Sequence, residues 1–311
     1  GNQARFPGDL GDTMSDIRSP VDFRKIGRPI AQSLMDGYQD QSMLVHLAGA
    51  RGFHDNIEWR LPIASHADFA EMAINTVKAP TKNRHFIADA SSIKPFTVVS
   101  SEVDLATTDL LDMDVVDSVR TMIESIPLPP PAIKIPGDVV AEDSPLRCML
   151  VSPAQYHAFS QDANFRQFQA SALARASKAG NHPLFLGEVG LWNGVLIMKM
   201  PKPIRFYSGD TIMYCAANDT ETETACTVPA AFGTTHAVDR ALLLGGQALA
   251  QAFASSKHGG MPFFWKEKGW DHDDKTELLL GAIQGRSTIR WLVNQCHAAK
   301  HYTDHGVIAI D

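Results

Sequence analysis

A two-residue turn signal lies inside a largely apolar stretch of this chain. Asn193-Gly194 separates residues 184–192 from residues 195–200, and both flanking runs are mostly apolar. A type I′ hairpin turn needs a positive φ at both central residues, and Asn followed by Gly tolerates this best. The sequence therefore predicts a β-hairpin over residues 184–200 with a type I′ turn at Asn193-Gly194. Any fold for this chain must provide a sheet at this point.

A long amphipathic helix is predicted near the start of the chain. Ser19-Pro20 offers an N-cap residue followed by a proline at the first helical position. Apolar residues then recur every three or four positions, which lays them along one stripe of a helix. We expect the helix to cover residues 20–48 and to end at the glycines of residues 49–52. The apolar stripe consists of Phe23, Ile26, Ile30, Leu34 and Tyr38.

Capping residues predict two further helices. Asp112 should cap a helix that ends at the proline-rich residues 127–131, because proline cannot continue the hydrogen-bond ladder. Ser152-Pro153 should start a short helix that reaches Phe159 and follows a strand at residues 147–151.

The remaining segments mix loops, helix and strands. Residues 1–18 suggest an extended segment with few contacts inside its own subunit. Residues 201–235 are rich in turn formers and are predicted to be an exposed loop insertion, whereas residues 247–254 are predicted to be helical. We expect the long helix to pack beside a sheet built from strands within residues 276–311, with both chain ends in one domain. Further strands are predicted at residues 241–244, 276–283, 287–293 and 307–310.

Composition limits the possible functions. The chain has 311 residues, a net charge of −7 and a pI of about 5.9. A protein that reads nucleic-acid sequence normally presents a basic face, so this balance argues against that role. No apolar run is long enough to span a bilayer, so we expect no membrane partner. The four scattered cysteines indicate free thiols in a reducing cytoplasm. Because no signal peptide or initiator Met is present, we expect the N-terminus to be processed or trimmed.

Three histidines have the spacing of metal ligands on a helix. His297, His301 and His305 stand four residues apart, so a helix would place them on one face. The glutamate that a zinc-protease motif requires after the first histidine is missing. Asp304-His305-Gly306 also favours a turn, which would interrupt the helix. Solvated histidines are therefore the preferred interpretation, and metal binding is the alternative.

Other clusters give no stronger chemical signal. The segments concerned lack the glycine spacing of a phosphate-binding loop, and no G-x-S-x-G elbow occurs. Charged turns explain the acidic and histidine-containing pairs better than metal sites do. The sequence therefore predicts no catalytic, cofactor-binding or metal-binding residue, and no cofactor. The clusters weighed are Asp271-His272-Asp273-Asp274, His54-Asp55 and Gly187-Glu188-Val189-Gly190.

Five blocks of sequence, taken in order, resemble one known family. The string HPLFLGEVGLWNGVLIMKM at residues 182–200 resembles the hairpin signature of the N-four-type podovirus major capsid family. There, a pattern xPxFxGxxGxYNGVxI follows a helix in the same way. The resemblance touches residues 20–50 and 105–311. The other blocks are residues 43–52, 148–159 (CMLVSPAQYHAF), 240–248 (RALLLGGQA), and 271–291 together with 304–311 (DHGVIAID).

The resemblance implies a mixed α+β, Hong Kong-97-like phage major capsid fold with a spine helix, a P domain and an A domain. In that family the chain begins with an N-terminal arm and an E-loop, most of which would be missing here. The segments implied are 1–18 as a remnant of the arm and E-loop, 19–104 as the P domain with the spine helix at about 20–48, 105–260 as the A domain with the loop insertion 201–235, and 261–311 as strands that return to the P domain.

The resemblance also implies a function. A protein of this family is a viral major capsid protein that assembles with itself into pentamers and hexamers of an icosahedral shell around double-stranded DNA. Scaffold, portal and decoration proteins are further expected partners, and the location is the virion after assembly in the bacterial host cytoplasm. The alternatives are a metal-dependent hydrolase that uses the His and Asp clusters, and a non-viral encapsulating-shell protein of the same fold.

Overall fold

A computed structural model of the chain describes residues 2–12, 23–134, 146–163, 165–167, 190–254, 262–270, 272, 274–294 and 300–311. Its helices are α1 (Phe23–Ala48), α2 (Phe69–Met72), α3 (Met113–Ser125) and α4 (Pro153–Gln161). The strands up to the predicted hairpin are β1 (Asn2–Asp12), β2 (His85–Asp89), β3 (Ser92–Pro95), β4 (Val98–Val99), β5 (Glu102–Val103), β6 (Arg147–Val151), β7 (Gly190–Trp192) and β8 (Val195–Lys199). The later strands are β9 (Arg205–Tyr207), β10 (Thr211–Cys215), β11 (Glu223–Thr227), β12 (Ala237–Asp239), β13 (Ala241–Leu244), β14 (Leu249–Phe253), β15 (Phe263–Trp270), β16 (Lys275–Thr288), β17 (Arg290–Asn294), β18 (Lys300–Asp304) and β19 (Val307–Ile310).

The chain divides into two compact units, and its two ends lie in different ones. The expectation that both ends share a domain is therefore wrong. All four residues of β19 are buried, and a strand that is apolar on both faces fits the interior of a covered sheet. The first unit comprises Gly1–His46, Asp55–Val77 and Ala250–Ser287, and the second comprises Leu47–His54, Lys78–Leu249 and Thr288–Asp311.

The first unit is built around the long strand β16. β1 pairs antiparallel with residues 275–284 of β16 and β15 with residues 275–282, so they lie on its two opposite edges. α1 packs on one face of this sheet, where Leu10, Ala31 and Leu278 form a buried cluster. The rings of Phe6 and Tyr38 also meet there, with centroids 5.1 Å apart. The expected packing of the long helix against strands after residue 276 is thus confirmed for β16 alone.

The second unit is built around a seven-stranded mixed sheet in the order β3-β2-β19-β13-β6-β8-β7. β6 runs parallel to β8, whereas β13 runs antiparallel to both β6 and β19. α3 and α4 pack on this sheet and contribute to its core. The buried side chains of α3 recur along one face of the helix. The side chains that α3 buries are Met113, Val115, Val116, Val119 and Ile123.

The predicted caps at Asp112 and Ser152 are confirmed, whereas the predicted cap at Ser19 lies outside the described residues. The Asp112 carboxylate accepts a hydrogen bond from the backbone N–H of Val115 at 2.8 Å. Ser152 and Gln155 form a reciprocal capping box, in which each side chain accepts from the backbone N–H of the other residue. These contacts satisfy N–H groups that the first turn of a helix leaves without intrahelical partners.

The predicted hairpin turn is also confirmed. Asn193 and Gly194 have φ values of 45° and 76°, and Trp192 pairs with Val195 across the turn. The part of the predicted hairpin before Gly190 lies outside the described residues. The Asn193 amide and the Trp192 indole N–H both donate to the Asp117 carboxylate, which ties the turn to α3.

Replacing Gly194 by valine should lower the free energy of unfolding by about 1–3 kcal/mol, because a β-branched residue is strained at positive φ. Chemical denaturation of the unassembled subunit measures this change. Gly194→Asn is the matched control and should cost much less, since Asn adopts this conformation readily. Equal stability of the valine and asparagine variants would contradict the assigned turn.

Two predicted segments are wrong. Residues 201–235, expected to be an exposed loop insertion, contain β9, β10 and β11, and bury Ile212 and Phe206 completely or nearly so. Residues 247–254, expected to be helical, contain β14, which pairs in the sheet of β16. β10 and β11 pair with each other as a hairpin within residues 201–235, whereas β14 pairs with β16, which lies later in the chain. In both places strand pairing decides the structure against the local propensity.

Among the described residues, none of the helices combines the length and the apolar character that crossing a membrane requires. The thiols of Cys148, Cys215 and Cys226 are free. Burial raises the pKa of Cys226 to about 12, so its thiol stays protonated. Cys296 lies outside the described residues.

Candidate assembly surfaces

Large aromatic side chains are exposed on β14 and β15 of the first unit. Phe253 and Phe263 lie side by side with ring centroids 5.7 Å apart, and both are more than 40% exposed. Trp265 and Trp270 on β15 are exposed to a similar degree. Aromatic residues are enriched in protein–protein interfaces, and grouped exposed apolar side chains mark such surfaces. Trp265 lies on the same face of β15 as Phe263, whereas Trp270 lies on the opposite face. We call Phe253, Phe263 and Trp265 the aromatic cluster.

A cation holds one member of the aromatic cluster in place. The Arg28 guanidinium lies 4.8 Å from the ring centroid of Trp265 and 2.5 Å from a carboxylate oxygen of Glu267. Alternate residues of β15 share one face, so Phe263, Trp265 and Glu267 all point toward the side on which Arg28 lies. The contact orients the Trp265 ring while leaving it 38% exposed.

The first half of α1 presents its apolar stripe to solvent. Ile26 and Ile30 are 47% and 55% exposed, although the sequence predicts that they face the core. The buried face instead carries Ala31, Met35 and Tyr38. Ala31 is small, so the sheet approaches this face of the helix closely. Of the expected stripe, Tyr38 therefore lies against the sheet, whereas Ile26 and Ile30 face away from it. Ile26 and Ile30 therefore form a second exposed apolar surface in the first unit.

The first unit also has open strand edges. In the described part of the chain, β1 pairs only with β16, and the far edge of β15 has no strand partner. An open edge presents unpaired backbone N–H and C=O groups to which another chain can add. β1 carries Pro7 in its middle, and proline within a sheet is tolerated only at edges or bulges.

The second unit exposes a smaller apolar pair on the β17–β18 hairpin. Trp291 and Leu292 are 55% and 47% exposed on β17. The His305 ring packs edge-on against Trp291 with centroids 6.2 Å apart. The aromatic cluster, the α1 stripe and this hairpin are therefore separate exposed apolar surfaces, and the first two belong to the first unit.

A buried ionic network organises the centre of the second unit. Arg240 donates to both carboxylate oxygens of Asp311, at 2.6 and 2.7 Å, and to the carbonyl oxygen of Ala48 at 2.9 Å. The His85 Nε2 lies 2.8 Å from the same carboxylate. The side chains of Arg240 and Asp311 are wholly inaccessible to solvent. We call Arg240, Asp311 and His85 the central network.

Charge in the central network is fixed by its geometry. Burial by itself would raise the pKa of Asp311, but the Arg240 guanidinium outweighs this and holds the pKa of that carboxyl well below its ordinary value. Burial lowers the pKa of His85, and the positive charge of Arg240 lowers it further, so His85 stays neutral. The network therefore contains one cation and one anion, whose charges balance.

Two further arginine–aspartate ion pairs lie in the second unit. Arg205 forms a two-point ion pair with Asp239, at 2.6 and 2.8 Å. Arg290 donates to Asp304 at 2.7 Å, and the second carboxylate oxygen of Asp304 accepts from the backbone N–H of Thr81 at 2.8 Å. Sequence reasoning missed these pairs, because the partners lie far apart along the chain and no short motif marks them.

The histidines with metal-ligand spacing do not form a stack. His301 lies in strand β18 and His305 follows it in a turn, so the helix needed to align them is absent from residues 300–311. His297 lies outside the described residues. A strand rises about 3.3 Å per residue, so side chains four residues apart along it are too distant to bind the same metal ion.

The other candidates are also separated from one another. His54 lies 3.0 Å from the Tyr207 hydroxyl, and burial followed by the charge of Arg205 lowers its pKa. His272 occupies a turn, while Asp271 and Asp273 lie outside the described residues. Of residues 187–190, only Gly190 is described, at the start of β7. In the part of the chain that the structure describes, no three His, Cys, Asp or Glu side chains group as metal ligands.

Comparison with known proteins gives one family and several similar structures. The family model described as phage capsid protein matches residues 1–311. The capsid of Ralstonia phage GP4 superposes with a TM-score of 0.66 at 21% identity, covering 99% of this chain and 72% of that chain. The head structure of Helicobacter pylori bacteriophage KHP40 gives a TM-score of 0.54 at 12% identity, covering 99% and 74%. No curated protein matches the chain.

The likeness to these capsids agrees with the expected Hong Kong-97-like mixed α+β fold. The family match extends over all 311 residues, and the exposed apolar surfaces are of the kind that self-association requires. The chain therefore belongs to the phage capsid protein family and is a structural subunit of a capsid shell.

Proposed function

We propose that the subunit forms its shell as pentamers and hexamers, through several weak interfaces distributed over both units. The observation that carries this proposal is the aromatic cluster, which exposes Phe253, Phe263 and Trp265 beside open strand edges. Rings of subunits are made by heterologous contacts, in which one patch meets a different patch of the neighbour. Separate apolar surfaces on a single subunit suit such contacts.

The enclosed cargo in this proposal is double-stranded DNA that the subunit holds without reading its sequence. The net charge of −7 supports this, because a sequence reader would present a basic face. An acidic shell can still enclose DNA, since counterions neutralise the phosphates. Scaffold, portal and decoration proteins complete the proposed set of partners, with assembly in the host cytoplasm before the virion is released.

The domain assignment is part of the proposal. Residues 1–18 would belong to the arm and E-loop, residues 19–104 to the P domain with α1 as its spine helix, residues 105–260 to the A domain, and residues 261–311 to strands that return to the P domain. The antiparallel sheet on α1 supports a spine helix for α1. A density map of an assembled particle, traced for one subunit, would test each boundary.

Negative-stain microscopy and sedimentation of the purified protein test the assembly proposal. We expect closed particles of uniform size with five-fold and six-fold clusters. Treating the particles with nuclease and then extracting protected double-stranded DNA tests the cargo. A protein that stays monomeric at high concentration in the presence of its own phage lysate would contradict the proposal. Protected protein cargo without DNA would favour the non-viral shell.

If function lies in distributed interfaces, no single histidine should be indispensable. Replacing His297, His301 and His305 together by glutamine should leave the particle yield within about twofold of wild type, as expected for surface substitutions. Sedimentation measures the yield, and elemental analysis of both proteins measures bound metal. Loss of particles together with loss of stoichiometric metal would revive the metal-dependent hydrolase.

A further inference from the structure

A cavity of about 470 Å³ with a mostly apolar wall opens at one end of the sheet of the first unit. Its walls come from β14, from the second half of β16 and from Asn75. The apolar part of the wall includes Phe253, a member of the aromatic cluster that is 49% exposed. The polar part is supplied by two buried side chains of β16, Gln284 and Arg286, each 1% exposed.

Arg286 is a buried cation whose hydrogen-bond partners are all neutral. Its guanidinium donates to the carbonyl oxygen of Gln39 at 2.9 Å and to the Gln284 side-chain oxygen at 3.0 Å. Asp40 acts on it through space, and no carboxylate of the described chain contacts it. Burial lowers the pKa of Arg286, but a guanidinium remains protonated. A buried charge without an ionic partner is costly and is normally compensated.

Gln284 adds a donor that the subunit does not use. Its side-chain oxygen accepts from Arg286, whereas its Nε2 is buried and has no hydrogen-bond partner among the residues that the structure describes. Leaving a buried donor unpaired costs about 1–3 kcal/mol. The cavity therefore combines a positive charge with a free N–H group, and both are complementary to an anion.

We propose that this cavity receives a carboxylate side chain from a second copy of the chain when the shell assembles. The proposal rests on the assembly function and adds a specific contact to it. A free anion would leave the adjoining Phe253 ring in water, whereas a protein side chain brings neighbouring chain that covers the ring. The chain carries 35 Asp and Glu residues against 28 Lys and Arg residues, so it supplies carboxylates in excess.

Gln284→Glu tests the proposal without removing a side chain. The new carboxylate is isosteric, can pair with Arg286 inside the same subunit, and repels a carboxylate that arrives from a neighbour. We expect the melting temperature of the unassembled subunit to be unchanged or higher, and particle yield to fall about tenfold or more. Gln32→Glu adds the same charge at an exposed position of α1 and should assemble like wild type. Equal yields from the two variants would overturn the proposal.

A density map of wild-type particles gives an answer that does not depend on any variant. A carboxylate oxygen of a neighbouring copy should lie about 3 Å from the Gln284 Nε2. An inorganic anion or water in that position would overturn the assignment to a second copy, even if Gln284→Glu fails to fold. Wild-type particles must form for either measurement, so failure of assembly itself is seen separately from failure of this contact.

Discussion

Replacing Arg240 by methionine should lower the free energy of unfolding of the subunit by about 3–5 kcal/mol. The substitution leaves the Asp311 carboxylate buried with only the neutral His85 beside it. It also removes the donor to the Ala48 carbonyl, which ends α1. Chemical denaturation of the unassembled subunit, followed by far-UV circular dichroism, measures the loss.

Arg28→Met is the matched control for this prediction, because the Arg28 side chain that pairs with Glu267 is 49% exposed, whereas Arg240 is wholly buried. Exposed pairs contribute about 0–1 kcal/mol, so the control should stay close to wild type. The double variant with Asp311→Asn should recover part of the lost stability, since it removes the uncompensated anion. A loss no greater than that of Arg28→Met would show that the central network is not a major source of stability.

Deleting residues 1–12 should abolish particle formation and destabilise the first unit. The sequence indicated few contacts within the subunit for this segment, and the structure contradicts that expectation, because β1 pairs with β16 along most of its length. Leu10 also belongs to the buried cluster with Ala31 and Leu278. Leu10→Ala alone should cost about 2–3 kcal/mol, and the deletion should cost more. Thermal melting of the subunit and sedimentation of particles measure the two effects.

Gly8→Ala controls for changes within the same strand, since the added methyl group meets no atom within 4 Å. We expect it to melt and assemble like wild type. A truncated protein that keeps the wild-type melting temperature would show that β1 contributes nothing to the isolated subunit. If that protein also formed particles, β1 would have no role in the shell.

Local signals account for what the sequence predicts correctly. The caps at Asp112 and Ser152 and the turn at Asn193-Gly194 each depend on residues within a few positions, and each is confirmed. Local signals fail for β1, because its Pro7 and Gly8 are typical of a loop rather than of a strand. An edge strand tolerates both residues, but only its pairing with β16 identifies it as a strand.

Strand pairing accounts for the errors. Residues 249–253, Leu-Ala-Gln-Ala-Phe, have good helix propensity but pair in the sheet of β16. Residues 201–235 are rich in turn formers, yet β10 and β11 pair there as a hairpin, and β11 also meets β5 at Glu102. The central network and the Arg286 cavity were missed because each one joins side chains that only the folded chain brings together.

The pairing of β1 with β16 also determines when, during synthesis, the sheet of the first unit can form. Asn2 pairs with Gln284, so the two strands that meet in the first unit are separated by nearly the whole chain. A ribosome releases the N-terminal segment long before β16 is made, and long-range pairing is slow to form. Newly made β1 therefore stays without its partner strand until β16 has been synthesised. β1 and β15 both pair with β16, so a fragment that ends before β16 lacks this sheet and the edges on which neighbours would dock.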